Sequence, residues 1–196
     1  MISVGVTGGI GTGKTIFCKE LENLGAEVVY ADDLAREMMV YDSDLRKKLI
    51  QTFGDETYFK DGSLNKSYLI EQAFHKNRVE DLNEIVHPAL RSKTIELILK
   101  AEKSGKPLFV IEAAVLLNKG RPDHLDKIIL IKSDREKQID RVKSRDGVTA
   151  VDVISRMNKQ PDFDKIEHFA DHIIYNNGTI NDLKAKAKDI FSQLTD

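Results

Sequence analysis

At 196 residues, 41% of them hydrophobic and 32% charged, the chain can bury one sizeable core with small appended subdomains, which excludes a disordered segment. A formal net charge of −2 excludes a general nucleic-acid binder, which needs a basic excess to meet phosphates. The single cysteine, Cys18, excludes an internal disulfide; no basic-then-apolar N-terminal stretch suggests secretion, and the longest apolar run, residues 108–117, is too short and too broken by Glu112 to span a membrane.

Ile2-Ser3-Val4-Gly5-Val6 reads as a short buried strand, and residues 16–24 as a helix with Phe17, Leu21 and Leu24 on one face. Between them, Gly8-Gly9-Ile10-Gly11-Thr12-Gly13-Lys14-Thr15 fits G-x-x-x-x-G-K-[ST] at every fixed position. Strand, glycine loop and helix in register predict a nucleoside triphosphate site. Glycines let successive N–H groups turn inward around phosphate oxygens, and the following helix aims its positive end at the same place. Lys14 reaches the β- and γ-phosphates as a point charge, and the Thr15 hydroxyl is a ligand for Mg²⁺. Cys18, on this helix, reads as a packed residue in reducing cytosol.

Glu27-Val28-Val29-Tyr30 is a second strand, followed by Ala31-Asp32-Asp33 and a helix carrying Leu34, Arg36, Met38 and Met39. Ligands of open α/β sheets bind beyond the carboxyl ends of strands, which makes Asp32 a candidate catalytic base. The competing reading is a helix N-cap, which Asp32 or Asp33 could fill, leaving the other for the site. Residues 43–104 are helical in pattern, with segments at 44–53, 69–74, 79–86 and 88–102 and turns at Gly54-Asp55 and Lys60-Asp61-Gly62. This stretch reads as an insertion that holds a second substrate. Pro88 suits a first helical turn, so His87 is expected at or just before an N-cap, in a structural role with a place beside the substrate.

Pro107 to Glu112 is a third strand, apolar until its final acid, as a central parallel strand covered on both faces should be. Glu112 either acts on Mg²⁺ through water or caps the turn that follows; both readings stand. Residues 127–131 form a fourth strand and 172–175 a fifth, and the last helix, 180–194, packs Leu183, Ala187, Ile190 and Leu194 inward. Between the last two strands, Gln138, Arg141 and Arg145 share a helix face, ahead of Asp146-Gly147 and a second helix with Arg156. A solvated surface is the ordinary meaning of such a stripe. A two-helix excursion carrying arginines between core strands is what a closing lid needs, and that reading is favoured.

Together these residues resemble one family, the dephospho-coenzyme A kinases, over essentially the whole chain. The resemblance rests on Thr7 through Thr15, on Ala31-Asp32 with Ala35-Arg36, on Gly54, Asp61-Gly62 and Phe74, and on His87-Pro88. It continues through residues 112–117, Gln138, Arg141, Arg145-Asp146-Gly147, Arg156 through Gln160, Ala170-Asp171 and Asn176-Asn177-Gly178. Tyr30 departs from the family's D-A-D, Asn65-Lys66 stands for a usual Asp-Arg pair, and Val40-Tyr41-Asp42 lacks a usual glycine.

The resemblance implies a P-loop NTPase three-layer α/β fold: a five-stranded parallel sheet flanked by helices. It also implies a core of 1–42, 105–133 and 161–196, an acceptor subdomain at 43–104 and a lid at 134–160. It implies transfer of the ATP γ-phosphoryl group, with Mg²⁺, to the ribose 3′-hydroxyl of dephospho-coenzyme A. Asp32, Lys14 and Arg141 would be catalytic. Gly9, Ile10, Gly11, Thr12, Gly13, Lys14, Thr15, Ile16, Arg145 and Asn176 would bind nucleotide, with Thr15 on the metal. Asp32, Arg36, His87 and Glu112 would bind acceptor. A cytoplasmic monomer or weak homo-oligomer is expected, with no nucleic-acid or membrane partner. Two readings compete: a nucleoside or nucleotide monophosphate kinase, and a regulatory P-loop NTPase. The latter wants Asn-Lys-x-Asp, and Asn118-Lys119-Gly120-Arg121 and Asn158-Lys159-Gln160-Pro161 both lack the final aspartate.

Overall fold

A computed structural model describes residues 1–118 and 120–195; Lys119, within the incomplete guanine-reading run, lies outside the described residues. The chain forms two compact units, residues 1–30 with 98–196, and residues 31–97.

The first unit is built on a five-stranded parallel sheet in the order β2-β3-β1-β4-β5. The strands are β1 (Ile2–Gly8), β2 (Glu27–Tyr30), β3 (Leu108–Glu112), β4 (Lys127–Lys132) and β5 (His172–Tyr175). β1 takes the centre because it is buried on both faces, with Val4 and Val6 on one and the small side chains of Ser3, Gly5 and Thr7 on the other. On one face Val4, Val6, Leu108, Val110, Ile129 and Ile131 meet Phe17 and Leu21 of α1 (Lys14–Asn23) and Leu183, Ala187 and Ile190 of the helix Ile180–Thr195. On the other, Gly5 leaves room for Leu116, whose Cδ2 lies 2.4 Å from where a Cβ would stand. The pairings Val6 with Glu112 and Tyr30 with Glu112 bring the carboxyl ends of β3 and β2 level, with β1 running two residues further to Gly8. The order changes direction at β1, so the loop leaving β1 opens where such sheets hold ligands.

The second unit packs α2 (Ala31–Tyr41), α3 (Ser43–Phe53), α4 (Lys66–Ile70) and part of α5 (Val79–Lys103) around Met38, Leu45, Leu49, Phe53, Leu69 and Val86. Two departures from the family pattern have local explanations here. Asp42 caps α3, accepting from Asp44 N at 3.0 Å and Leu45 N at 2.9 Å. Asn65 caps α4 by accepting from Tyr68 N at 3.2 Å, while its amide donates to Glu56 O at 3.0 Å, a bond no aspartate could make.

Three expectations are corrected. The segments 79–86 and 88–102 are one helix, α5, with Pro88 inside it, so His87 is mid-helix and not at an N-cap. Leu82, Ile85 and Val86 before the proline and Ala89 and Leu90 after it pack on the same cluster. Burying large apolar side chains yields about 1.5–3 kcal/mol each, which together outweighs the ~3 kcal/mol cost of an interior proline. Residues 69–74 are not one α-helix: α4 ends at Ile70 and a π-helical turn covers Glu71–His75. Neither Asp32 nor Asp33 precedes its helix; α2 starts at Ala31, and both lie in its first turn, where the helix dipole favours acids.

Candidate active site

The loop after β1 takes its shape from positions that exclude side chains. Gly8 has φ 146°, and a Cβ there would stand 2.2 Å from the Ile131 carbonyl oxygen of the neighbouring strand. Gly13, the N-cap of α1, has φ 97°, and its Cβ would stand 2.6 Å from Asn176 Nδ2. The loop is closed from inside by the Gly9 carbonyl, which accepts from Thr12 N at 3.3 Å, Thr12 Oγ1 at 2.8 Å and Lys14 Nζ at 3.2 Å. Lys14, Thr15 and Ile16 are the first residues of α1, so their N–H groups have no partner within the helix. Ile16 turns its side chain into the sheet core and offers only its backbone.

At the mouth of the loop stands Glu112. Its Oε2 accepts from Thr15 Oγ1 at 3.1 Å, and its Oε1 lies 3.9 Å from Lys14 Nζ. The Lys14 and Glu112 side chains are only 10% and 14% exposed, so solvent screens their attraction weakly. The structure thus joins three of the expected residues, Lys14, Thr15 and Glu112, in one cluster. A hydroxyl and a carboxylate facing each other are hard oxygen donors and fit Mg²⁺, which takes one or two protein oxygens and completes its shell with phosphates and water. Cys18, one turn further along α1, is fully buried; that burial, with the Glu112 charge adding to it, pushes its thiol well above the usual range.

The opposite wall comes from α6 (Arg135–Asp146) and the end of β5. Arg141 donates through Nη1 to Gly11 O at 3.3 Å and Ser133 Oγ at 3.1 Å, and through Nη2 to Asn176 O at 3.0 Å. It is therefore anchored on the glycine loop itself. Asn176 is buried, and its Nδ2 donates to Thr12 O at 2.8 Å, so its amide braces the loop. Arg145 stands apart from this cluster. It forks onto Asp146 at 2.7 and 3.1 Å, Arg156 shares that carboxylate at 3.0 Å, and these bonds hold the Asp146 carboxyl below its ordinary value.

Sequence reasoning missed two further groups. Lys132, at the end of β4, bonds Asp164 at 2.5 Å and Glu167 at 2.8 Å, and those carboxylates raise its pKa. Gln160 Oε1 accepts from Ile10 N at 2.8 Å, and Gln138 Nε2 donates to Ser133 O at 2.6 Å. A cleft of about 570 Å³ beside the loop is lined by Gly9, Thr12, Lys132, Gln138, Gln160 and Phe163, among others. The sequence places Gln138 only on the helix face of the lid and Gln160 only in the family motif, since the loop that they meet lies more than a hundred residues away.

Asp32, Arg36 and His87 belong to the unit of residues 31–97. Asp32 is exposed, the second residue of α2, which follows β2 with no connecting loop. Arg36 pairs with Asp33 at 3.0 Å across one turn, and His87 lies partly buried in α5. Among the described residues no group of three or more histidines, cysteines or acids is gathered as a metal site, and no helix is long and apolar enough to cross a membrane.

Comparison with known proteins agrees with this arrangement. The dephospho-CoA kinase family model matches residues 2–182. The dephospho-CoA kinase of Salinibacter ruber is 38% identical over 196 residues, covering 100% of this chain and 98% of its own. The crystal structure of a Thermus thermophilus protein superposes with a TM-score of 0.79 at 26% identity, covering 100% of this chain and 98% of its own. The dephospho-CoA kinase of Campylobacter jejuni shares the fold, with a TM-score of 0.65 at 24% identity over 98% of this chain and 97% of its own. The glycine loop, the acid at the end of β3 and the whole-chain match lead to one assignment: the chain belongs to the dephospho-CoA kinase family.

Proposed function

We propose that the chain transfers the γ-phosphoryl group of ATP to the ribose 3′-hydroxyl of dephospho-coenzyme A, giving coenzyme A and ADP, the last step of coenzyme A synthesis. The observation that carries this reading is the phosphate loop with Lys14 and Thr15 both turned onto Glu112, in a chain that matches the family over residues 2–182.

The amides of Gly11 through Thr15, with the Lys14 ammonium, hold the nucleotide phosphates. Thr15 Oγ1 and Glu112 would hold Mg²⁺, which when bound would supply positive charge to the phosphates of the nucleotide. Arg141, fastened to the Gly11 carbonyl, brings a second cation to the transferring group, with Arg145 further out and Asn176 bracing the loop on the nucleotide side. Asp32 accepts the hydroxyl proton; its support is the Asp32…Ala35-Arg36 pattern and its place directly after the β2 strand end. Arg36, His87 and the helical stretch 43–104 bind the acceptor. Residues 134–160 act as a lid that keeps water from competing with the hydroxyl. The enzyme works in the cytoplasm as a monomer or weak homo-oligomer.

A panel of acceptors under saturating Mg²⁺ and ATP tests the reading. Dephospho-coenzyme A is expected to give the highest kcat/KM. A nucleoside or nucleoside monophosphate exceeding it would make the chain a different kinase on the same scaffold.

A further inference from the structure

The peptide between Gly9 and Ile10 is held at both ends. Its carbonyl, on Gly9, receives the Lys14 ammonium and both Thr12 donors. Its N–H, on Ile10, donates to Gln160 Oε1 at 2.8 Å. This peptide is trans, so these two groups point in opposite directions from one rigid plane. Rotating the plane to release Gln160 also swings the carbonyl away from Lys14.

The surroundings oppose that rotation. A Cβ on Gly9 would stand 3.1 Å from Gln138 Oε1, 3.6 Å from Gln160 Oε1 and 3.6 Å from Phe163 Cε2. Gln160 is itself fixed: its N–H donates to Met157 O at 3.0 Å at the end of α7 (Ala150–Asn158), and Pro161 follows. Gln138 is fixed from α6 through Ser133 O at 2.6 Å. Side chains from the first helix of the 134–160 excursion and from its last residue thus converge on one peptide of the glycine loop.

We propose that Gln160 is a positioning residue for Lys14, acting through the Gly9–Ile10 peptide plane and tying the end of the 134–160 excursion to the phosphate cradle. Gln160 does not touch the phosphates. It satisfies an amide that the loop leaves unused and orients the carbonyl that brackets the lysine. The inference rests on the nucleotide-binding reading of the loop.

The test is a double-mutant cycle on binding of a non-hydrolysable ATP analogue with Mg²⁺, using Gln160→Met, which keeps length and removes the acceptor, and Lys14→Met. Gln160→Met is expected to weaken analogue binding about tenfold, in the range for a half-buried amide losing its partner, with the KM for dephospho-coenzyme A changed less than twofold. The Ile10 amide proton should shift upfield and exchange faster. In the Lys14→Met background the Gln160 change should add less than twofold, because the two act through one peptide. Full additivity, or weakened binding with an unmoved Ile10 resonance, makes Gln160 a merely structural residue and overturns the proposal. Wild-type binding in Gln160→Met while Lys14→Met binds poorly overturns it too and leaves the loop's function standing. Wild-type binding in Lys14→Met removes both.

Discussion

Glu112 ends β3 and Asp32 comes two residues after β2, yet their settings differ. Glu112 is enclosed and bonded to Thr15 beside Lys14; Asp32 is exposed on the first turn of a helix. A proton acceptor has to face a substrate, whereas a carboxylate tied to a threonine and a lysine suits charge balance at a phosphate site. Asp32→Asn is therefore expected to lower kcat by about 10²–10⁴-fold, the usual contribution of a general base, while analogue affinity stays within twofold. Turnover within threefold of wild type would move the base elsewhere. Asp171 gives a test by pH. Burial alone would raise its carboxyl, but the Ile128 N–H at 2.7 Å and the Arg121 guanidinium at 2.8 Å hold it below its ordinary value. A depressed carboxyl stabilises the fold above its unfolded value of about 3.9, and that stabilisation is lost as pH falls through the lower folded value. The stability gap between wild type and Asp171→Asn, measured by denaturant melts, should be constant above pH 5 and shrink below pH 4; a gap independent of pH would contradict this. The spacing of Gly8 to Thr15 was legible because the phosphate loop is a local pattern. The partners of Asn176 and Gln160 were not, because they sit 164 and 150 residues away.

β3 and β4 were readable because an inner parallel strand is apolar along its length, and the edge strands β2 and β5 because short β-branched runs stand out between polar helices. Glu27–Tyr30 and the strand ending at Glu112 fall where the pattern put them. Helices were harder wherever a local breaker met a tertiary reward. Pro88 looked like a start; it lies inside α5 because apolar residues on both sides of it share one core. Pro88→Ala restores an N–H within the helix and is expected to raise the thermal midpoint without changing helix content by circular dichroism. A lowered midpoint would show that the proline is accommodated by contacts its removal breaks. The π-helical turn at Glu71–His75 left no mark on periodicity, since one residue's slip over a single turn is invisible to a pattern of apolar positions.

One core lies between a face of the sheet and the helices that cover it, and another lies among the helices of residues 31–97. The P-loop machinery lies wholly in the first unit, and Asp32, Arg36 and His87 lie in the second. The composition foretold that division only as capacity: a chain of this length and apolar content can carry one large core and a smaller one. The near-neutral charge of −2 fits a protein whose anionic ligands are met by a few placed cations rather than by a basic face. On the proposed function, the terminal phosphoryl group of ATP held by the glycine loop goes to one hydroxyl of one acceptor. The decisive measurement is the position of the label in the product formed from γ-labelled ATP, Mg²⁺ and dephospho-coenzyme A, located by phosphorus NMR. Label is expected on the ribose 3′-oxygen, one equivalent per ADP formed. Label released as inorganic phosphate, or attached to any other oxygen, would contradict it.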